Sequence, residues 1–465
     1  MKIKLAKTEI IHFVGIGGIG MSGLALIMKS LGFQIKGSDS TYNKNIEKLK
    51  KNKIKVTIGH KKKNIYKSSI LVISSAIKTS NPEYKEALKK KIPIYKRGEV
   101  LGHIVSLMNN ITVAGSHGKT TTTSLISNIF AQTNLDPTII NGGIINSLGS
   151  SAKLGKSDWC ILETDESDGS FLKIPKTYSI VTNIDEEHMD YYKNLNNLKN
   201  KFVLFINKTP SFGKSFLCID DKNIKNIIKK INHKNYLTYG ENRNSNYRIY
   251  NVRQNINNSI YDLKISLPGQ KTTIVQNIKI PIIGIHNIKN ATASFAVANT
   301  IGISNTLIKK GLIEFKGVQR RFNKLFIFQK SVFYDDYAHH PTEIEEVLKG
   351  VKNVYKDKEI VCIFQPHRIS RLKFLKTKFA NAFRKADTVV LCPIYKAGES
   401  IRLGFSYKKF AHEIINKSKV KLILIKNEYE LSKFIKHNVY GQKIVIGMGA
   451  GSISTWMRGL PKLLK

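Results

Sequence analysis

Acidic residues are scarce in this chain: 33 Asp and Glu stand against 76 Lys and Arg over 465 residues, a formal net charge of +43. Such an excess would suit a nucleic-acid or anionic-membrane partner. Arginine is scarce too, however, at 11 residues, and the lysines run along the whole chain among abundant Asn and Ile. Lysine lacks the planar fork that reads guanine or grips phosphate through two oxygens. No nucleic-acid motif accompanies the charge, so we read it as a drift in surface composition and expect neither nucleic acid nor a membrane as partner. Cysteine is limited to Cys160, Cys218, Cys362 and Cys392, never as a CxxC, which excludes zinc-ribbon and redox-motif spacing. Each follows or lies within an apolar run, pointing to buried, reduced thiols in a cytosolic protein.

Long apolar runs are also lacking, with one exception. Lys2 and Lys4 precede Ile10 to Met28, whose only plainly polar side chains are His12 and Ser22. That resembles a signal anchor, but Gly15, Gly17, Gly18, Gly20 and Gly23 interrupt it and no small-residue cleavage site follows. A strand, a glycine turn and a helix are expected instead, in a soluble cytoplasmic protein. What is present is enough apolar residue, 42%, to bury large cores, and a length that suggests two to four domains.

The first hundred residues alternate β-branched runs (Ile10 to Val14, Gln34 to Lys36, Ile70 to Ser74, Ile92 to Tyr95) with helical patterns, as in a parallel α/β sheet. A polar joint at Asn109 and Asn110 precedes a new strand, Ile111 to Ala114. Strand-like runs continue at Trp159 to Leu162 and Tyr178 to Val181. The Asn-rich stretch from Asn223 to Asn258 has weak periodicity and reads as loop-rich. After a second joint near Gly317, the alternation resumes through Val332 to Tyr334, Ile360 to Phe364, Thr388 to Cys392, Val420 to Ile425 and Lys443 to Ile446. Three α/β domains are expected, over residues 1–108, 109–318 and 319–465.

Gly15-Ile16-Gly17-Gly18-Ile19-Gly20 lies between a strand and a helix, with Asp39 placed as a ribose carboxylate would be. Taken alone this fingerprint says NAD, and an NAD-dependent oxidoreductase is one reading. Its physical content is narrower: a helix N-terminus approached by glycine backbone binds a diphosphate, which UDP also carries. Gly115-Ser116-His117-Gly118-Lys119-Thr120 follows a strand and opens a helix, which makes it a phosphate loop by context, although Val113 replaces the first glycine of the full pattern. Lys119 suits β and γ phosphates, and the Thr120 hydroxyl suits Mg²⁺. The strand ending in Glu163 presents a carboxylate where a nucleotide enzyme would hold Mg²⁺. The following Asp165, Glu166 and Asp168 each read singly as solvated loop carboxylates. Asn183 to Asp190 brings His188 to the same edge, with a metal or substrate role. A nucleic-acid-stimulated ATPase would need an aromatic and arginine platform, which is not evident.

As an ordered set, the phosphate loop, Glu163, Asn183 to Asp190, His286-Asn287-Ile288-Lys289-Asn290-Ala291, Gly317-Val318-Gln319-Arg320-Arg321-Phe322 and Asp335 to Glu343 resemble the Mur ligases of peptidoglycan precursor synthesis. The resemblance runs from Ile10 to the C-terminus. Within the family, Gly15 to Gly23, Asp335 to Glu343 and Phe364-Gln365-Pro366-His367-Arg368 are most similar to the branch that joins L-alanine to UDP-N-acetylmuramate. The tripeptide-recycling branch is the alternative, but its glycine loop usually carries Cys and Thr. The resemblance implies a Rossmann-like N-terminal domain, a central P-loop ATPase domain with a mainly parallel sheet, and a C-terminal Rossmann-like α/β domain that closes over both substrates. It implies ATP and Mg²⁺, the small-molecule substrates UDP-N-acetylmuramate and L-alanine, and a monomer or homodimer.

By the same resemblance, Gly15, Gly17, Gly18, Gly20, Ser38, Asp39, Ser74 and Ser75 would bind the UDP end, and Gly115, Ser116, His117, Gly118, Lys119, Thr120 and Thr121 the ATP phosphates. Thr120, Glu163 and His188 would hold metal. His286 and Asn290 would contact adenine, Arg321 the phosphates and Asp336 the ribose, while His367 and Arg368 would take alanine. Lys119, His188 and Arg321 form the catalytic set. For His339 and His340 a helix-entry cluster capped by Pro341 and Thr342 stands beside direct catalysis, so neither is assigned. The chain departs from the family pattern at Ser116, Glu187 and Ser452; the last replaces a frequent Asp, so no role for that carboxylate is transferred. Lys201 lies where other branches carry a carbamylated lysine, and no such role is claimed for it.

Overall fold

A computed structural model describes residues 9–399 and 405–464; Lys2 and Lys4 lie outside it. Ile10 to Met28 is a strand, a glycine turn and a helix rather than an anchor. β1 (Ile10–Val14) ends at Gly15, whose φ of 79° a side chain would strain, and the helix Ile19–Ser30 follows. With β2 (Gln34–Asp39), β3 (Lys55–Ile58), β4 (Ile70–Ile73) and β5 (Ile94–Lys96) it forms a parallel sheet of order β3-β2-β1-β4-β5. Ile11, Phe13 and Val14 are all buried, as a strand covered by helices on both faces requires. Among the described residues no helix is long and apolar enough to cross a membrane.

The second sheet holds β6 (Asn109–Ala114), β7 (Thr138–Ile145), β8 (Ser150–Lys153), β9 (Trp159–Glu163), β10 (Tyr178–Val181), β11 (Lys214–Cys218), β12 (Tyr236–Gly240), β13 (Tyr247–Gln254), β14 (Ser259–Ile265) and β15 (Thr273–Ile280). Their order is β15-β14-β13-β12-β11-β10-β6-β9-β7-β8. Two expectations are corrected here. β6 begins at Asn109, two residues before the expected Ile111, and the buried Asn110 amide donates to the Val105 carbonyl at 2.9 Å. The Asn-rich stretch is not loop-rich, since it carries β12 and β13. Asn246, between them, bonds to backbone: it accepts from the Thr238 N–H at 2.8 Å and donates to the Ser266 carbonyl at 2.9 Å. Side chains that mimic backbone hide the strand pattern from composition.

The third sheet has β16 (Asn323–Phe328), β17 (Ser331–Asp336), β18 (Ile360–Phe364), β19 (Thr388–Leu391), β20 (Lys421–Leu424) and β21 (Ile444–Met448), in the order β16-β17-β21-β18-β19-β20. Only β16 pairs antiparallel. The chain forms two compact units. One runs to Asn251 and includes Tyr261–Lys279 and Lys289–Lys316; the other is Val252–Ile260, Ile280–Ile288 and Gly317 onward. The first two sheets share a unit because their core is continuous: Ile140, Ala152 and Leu162 cluster with Ile11, Phe13 and Leu24. Gly23 lets the first helix approach so closely that a methyl there would lie 3.1 Å from Ala152 Cβ. All four cysteines are buried and free. Burial pushes their thiols up, Cys218 to about 12 and the others further.

The helices Lys119–Phe130 and Asn305–Ile313 meet at Gly311, where a Cβ would lie 2.5 Å from Ile129 Cα. Asn128 Nδ2 ties them by donating to the Gly311 carbonyl at 2.6 Å. Because backbone faces backbone, the Gly311→Ala variant is expected to lose about 1–3 kcal/mol, as overpacked sites do. Urea unfolding would show this as a lower midpoint; an unchanged midpoint would mean that the helices separate freely.

Candidate functional site

The phosphate loop is shaped by two glycines and held by the chain leaving β10. Gly115 (φ 133°) and Gly118 (φ 82°) take conformations that side chains avoid, and a Cβ on Gly115 would overlap Thr182 Oγ1 at 2.1 Å. Thr182 Oγ1 and Asn183 Nδ2 donate to the His117 carbonyl at 2.6 and 3.0 Å. Asn183 Oδ1 accepts from the His117 N–H at 2.8 Å, and the Asn183 carbonyl from the Ser116 N–H at 3.1 Å. Ser116 Oγ accepts from the Asp185 N–H at 2.8 Å, and His117 Nε2 lies 3.2 Å from Asp185 Oδ2. The helix begins at Lys119, and its first intrahelical bond from beyond the loop is Thr122 N–H to the Gly118 carbonyl. The N–H groups of Lys119, Thr120 and Thr121 therefore point out of the helix start, a ready anion seat. Asn290 packs against it, 2.6 Å from where a Gly118 Cβ would be.

Lys119 is partly buried beneath this loop, its side chain 14% exposed. Its ammonium donates to the Gly115 and Ser116 carbonyls and lies 3.0 and 2.9 Å from the two oxygens of Glu166. Burial would favour the neutral amine, but Glu166, Glu163 and Asp165 outweigh it and hold the ammonium above its ordinary pKa. Glu166 is 1% exposed, and burial raises its carboxyl more than Lys119 and His188 lower it. His188 Nε2 stands 3.9 Å from Glu166 Oε1, on a residue with φ of 58°. The reading of Glu166 as a solvated carboxylate is thus overturned, because it is buried and supplies the counter-charge of the phosphate-loop lysine. The available signal was an acidic island in a strongly basic chain. Asp165 is likewise engaged: burial raises its carboxyl, and Arg97 and Lys119 bring it below its ordinary value. Asp168 keeps a turn role, accepting from the Ser170 N–H at 3.0 Å. Glu163 ends β9 and accepts from the Gly142 N–H at 2.7 Å. Thr120, Glu163 and His188 follow β6, β9 and β10, neighbours in the sheet.

At the first sheet, β2 clamps the glycine loop. The Ser38 carbonyl accepts from the Gly15 and Ile16 N–H groups at 2.8 and 3.0 Å, and Asp39 Oδ2 from the Gly17 N–H at 2.8 Å. Asn43 and Asn45 donate to the Gly17 carbonyl, and the Gly18 N–H turns back to Gly15. Gly15, Gly17 and Gly18 therefore shape the loop rather than offer it donors, and Asp39, expected at a ribose, braces Gly17. The outward N–H groups belong to Ile19, Gly20 and Met21 in the first helical turn. Arg97, missed in the sequence, lies over that turn, its Nη1 3.1 Å from where a Gly20 Cβ would be. Its signal was arginine's rarity. Ser74 packs beside Gly15, and Ser75 is exposed.

In the other unit, Asp336 ends β17 with both oxygens on backbone: Oδ2 accepts from the Phe322 N–H and Oδ1 from the Ala338 N–H, each at 2.7 Å. It is 4% exposed, and burial pushes its carboxyl up to about 6. Expected at a ribose, it braces the Arg320–Phe322 turn. Arg321 lies 3.5 Å from Glu343 Oε1 and over the Tyr337 ring. Arg320 covers the same ring and donates to the Gly449 carbonyl. His340 caps the helix Pro341–Val354, and Glu343 accepts from the His339 and His340 N–H groups, which is the helix-entry arrangement. His367 stacks on Tyr395 at 5.6 Å, and Arg368 (φ 69°) opens the helix Ile369–Phe374. Ser452 accepts from Gln365 Nε2 at 3.0 Å. His286 lies 3.8 Å from Glu346 Oε2. It shares the helix Ile285–Thr300 with Asn290, but the two residues fall in different units.

Comparison with known proteins matches residues 10–108 to the Mur ligase family, catalytic domain, 113–298 to the Mur ligase middle domain, and 320–451 to the Mur ligase, glutamate ligase domain. The UDP-N-acetylmuramate–L-alanine ligase of Pelagibacter ubique is 65% identical over 464 residues, covering 100% of both chains. That of Rickettsia felis is 42% identical, over 97% of this chain and 96% of its own. The crystal structure of the Thermotoga maritima UDP-N-acetylmuramate–alanine ligase superposes with a TM-score of 0.82 at 27% identity, covering 97% of this chain and 98% of that one.

Glu166→Gln keeps shape but leaves the Lys119 ammonium without its buried counter-charge. Removing one member of such a pair typically costs about 3–5 kcal/mol, and the amide's remaining hydrogen bond places the expectation near the lower end. Equilibrium unfolding at neutral pH measures it; stability equal to the parent would show that the pair is not needed to hold the loop.

Proposed function

The chain belongs to the Mur ligase family, and on that premise we propose that it joins L-alanine to the lactyl carboxylate of UDP-N-acetylmuramate. ATP is consumed, and the products are UDP-N-acetylmuramoyl-L-alanine, ADP and phosphate, in peptidoglycan precursor synthesis. The full-length 65% identity to a ligase of that name carries the reading, and the phosphate loop supports it. A carboxylate is a poor electrophile. Transfer of the γ-phosphoryl group to its oxygen gives an acyl phosphate. The alanine amine attacks the carbonyl carbon, the carbon–oxygen bond to phosphate breaks, and the amine loses a proton. Water must be kept out while the acyl phosphate exists.

Lys119, freed from Glu166 and the loop carbonyls, would neutralise charge on the transferring group while the first N–H groups of its helix hold the phosphates. The oxygen donors Thr120 and Glu163 suit a hard cation, and we assign them to Mg²⁺ with His188 beside them. Bound there, the ion would supply charge neutralisation to the phosphates. In the same reading His286 and Asn290 take adenine, Arg321 and Asp336 serve the ATP phosphates and ribose, and His367 and Arg368 take alanine, whose carboxylate suits a guanidinium fork. Arg97 and the first turn at Ile19–Met21 take the UDP diphosphate. The cytoplasm, where ATP and nucleotide-linked sugars are met, is the compartment that fits these substrates.

Phosphate release from ATP with Mg²⁺ and UDP-N-acetylmuramate tests this directly. L-alanine should be required, whereas release only with the L-Ala-D-Glu-diaminopimelate tripeptide would move the chain to the recycling branch. Lys119→Ala should abolish release. Arg368→Ala should raise the KM for L-alanine about 10–100-fold, as the loss of a charge-assisted pair predicts.

A further inference from the structure

Outside the phosphate loop, the first sheet holds a second buried carboxylate. Glu83 is the second residue of the helix Pro82–Lys89 and is fully buried, its side chain turned under the strands rather than toward its own helix end. Oε2 accepts from Ser38 Oγ at 2.6 Å and faces His12 Nε2 at 3.2 Å. Oε1 accepts from Asn64 Nδ2 and from the Lys61 N–H at 3.2 Å, with His60 Nδ1 at 3.6 Å. Burial alone would raise this carboxyl, but the bonds from His12, Ser38 and Asn64 outweigh it, and the group stays ionised. Burial lowers the His12 pKa, favouring the neutral ring, and among the described residues its buried Nδ1 has no partner, so a protonated ring would bury an unpaired donor.

We propose that Glu83 is the positioning residue of the UDP-binding edge, acting through Ser38 on the glycine loop; this rests on the function proposed above. Ser38 is the pivot. Its hydroxyl is bound by Glu83 while its carbonyl takes the Gly15 and Ile16 N–H groups. The adjoining Asp39 holds Gly17. The path of this loop decides where the outward N–H groups of Ile19–Met21 stand beneath Arg97. The other oxygen of Glu83 fixes the segment leaving β3, because Asn64 also donates to the Gly59 carbonyl at 3.0 Å. One carboxylate thus sets the spacing between the glycine loop and its neighbour across the sheet edge. The ATP loop, built on the second sheet, shares none of these bonds.

The test is a steady-state comparison of the full chain with Glu83→Gln, Ser38→Ala and the double variant, each substrate varied in turn. Glu83→Gln should raise the KM for UDP-N-acetylmuramate about tenfold, the loss expected for one charge-assisted hydrogen bond. Its kcat and its KM for ATP and L-alanine should stay within about twofold, which a general loss of structure would not allow. The double variant should be no worse than Glu83→Gln alone, since both cut the same link. Additive effects, an equal rise in the KM for ATP, or no change would overturn the assignment. If Glu83→Gln does not fold, Glu83→Asp, which draws the carboxylate back from Ser38 Oγ, carries the same split: a rise confined to the UDP substrate supports the link, and no rise overturns it. Calorimetric titration of the parent with UDP separates the two levels. A parent that binds UDP alongside an unaffected Glu83→Gln sinks this inference only, whereas a parent binding neither UDP nor UDP-N-acetylmuramate sinks the functional reading and this inference with it.

Discussion

The contact on which the central site depends is made by a segment that carries no phosphate-binding residue of its own: Thr182, Asn183 and Asp185, where the chain leaves β10, bond both edges of the phosphate loop. A glycine-rich loop is free to take many paths, and its use lies in one of them. Here the neighbouring strand end selects that path. β6 and β10 are paired in register, Ala114 opposite Val181, so the template is positioned by the same ladder that positions the loop. Lys119 then completes the arrangement from below, bonded to the loop's own carbonyls and to Glu166. The loop is held from its edge and from beneath, which leaves the helix start facing outward.

A recurring arrangement links the three sheets. Each keeps a buried carboxylate near the edge where its chemistry gathers: Glu83 in the first, Glu166 in the second, Asp336 in the third. Their partners differ. Glu83 is surrounded by neutral donors and one backbone N–H, Glu166 faces an ammonium, and Asp336 accepts two backbone N–H groups. The first keeps its charge against burial through hydrogen bonds, whereas burial dominates in the other two. The net charge of +43 therefore describes the surface and says little about the edges, where each sheet keeps a deeply placed carboxylate.

The parts of the molecule that were legible beforehand share one property: their signal is local. Apolar runs announced β1, β6 and β9, and the glycines after β1 and β6 announced their turns, since strand, turn and helix start are there written within a few residues. What was missed depends on residues far apart in the chain. Glu166 looks like one loop acid among three until Lys119, 47 positions earlier, is seen to need it. Arg97 became visible only when β5 brought it over the helix that starts at Ile19. The strands β12 and β13 were concealed because the stretch between and around them is rich in asparagine, of which Asn246 satisfies backbone groups at Thr238 and Ser266. Family likeness supplied a role for Asp336 that its own surroundings do not display, since its oxygens are turned to Phe322 and Ala338.

The four cysteines have a practical consequence. Two of them, Cys160 and Cys218, belong to the unit with the phosphate loop, and two, Cys362 and Cys392, to the unit with the third sheet. Buried and held as neutral thiols, they are inert toward alkylating agents and mild oxidants while the chain is folded, because the thiolate is the reactive form. Each thiol therefore becomes a clock for the opening of its own unit. The natural sequence comes with one matched pair of reporters in each half, so modification rates followed by mass spectrometry would distinguish breathing of one half from that of the other without any introduced label.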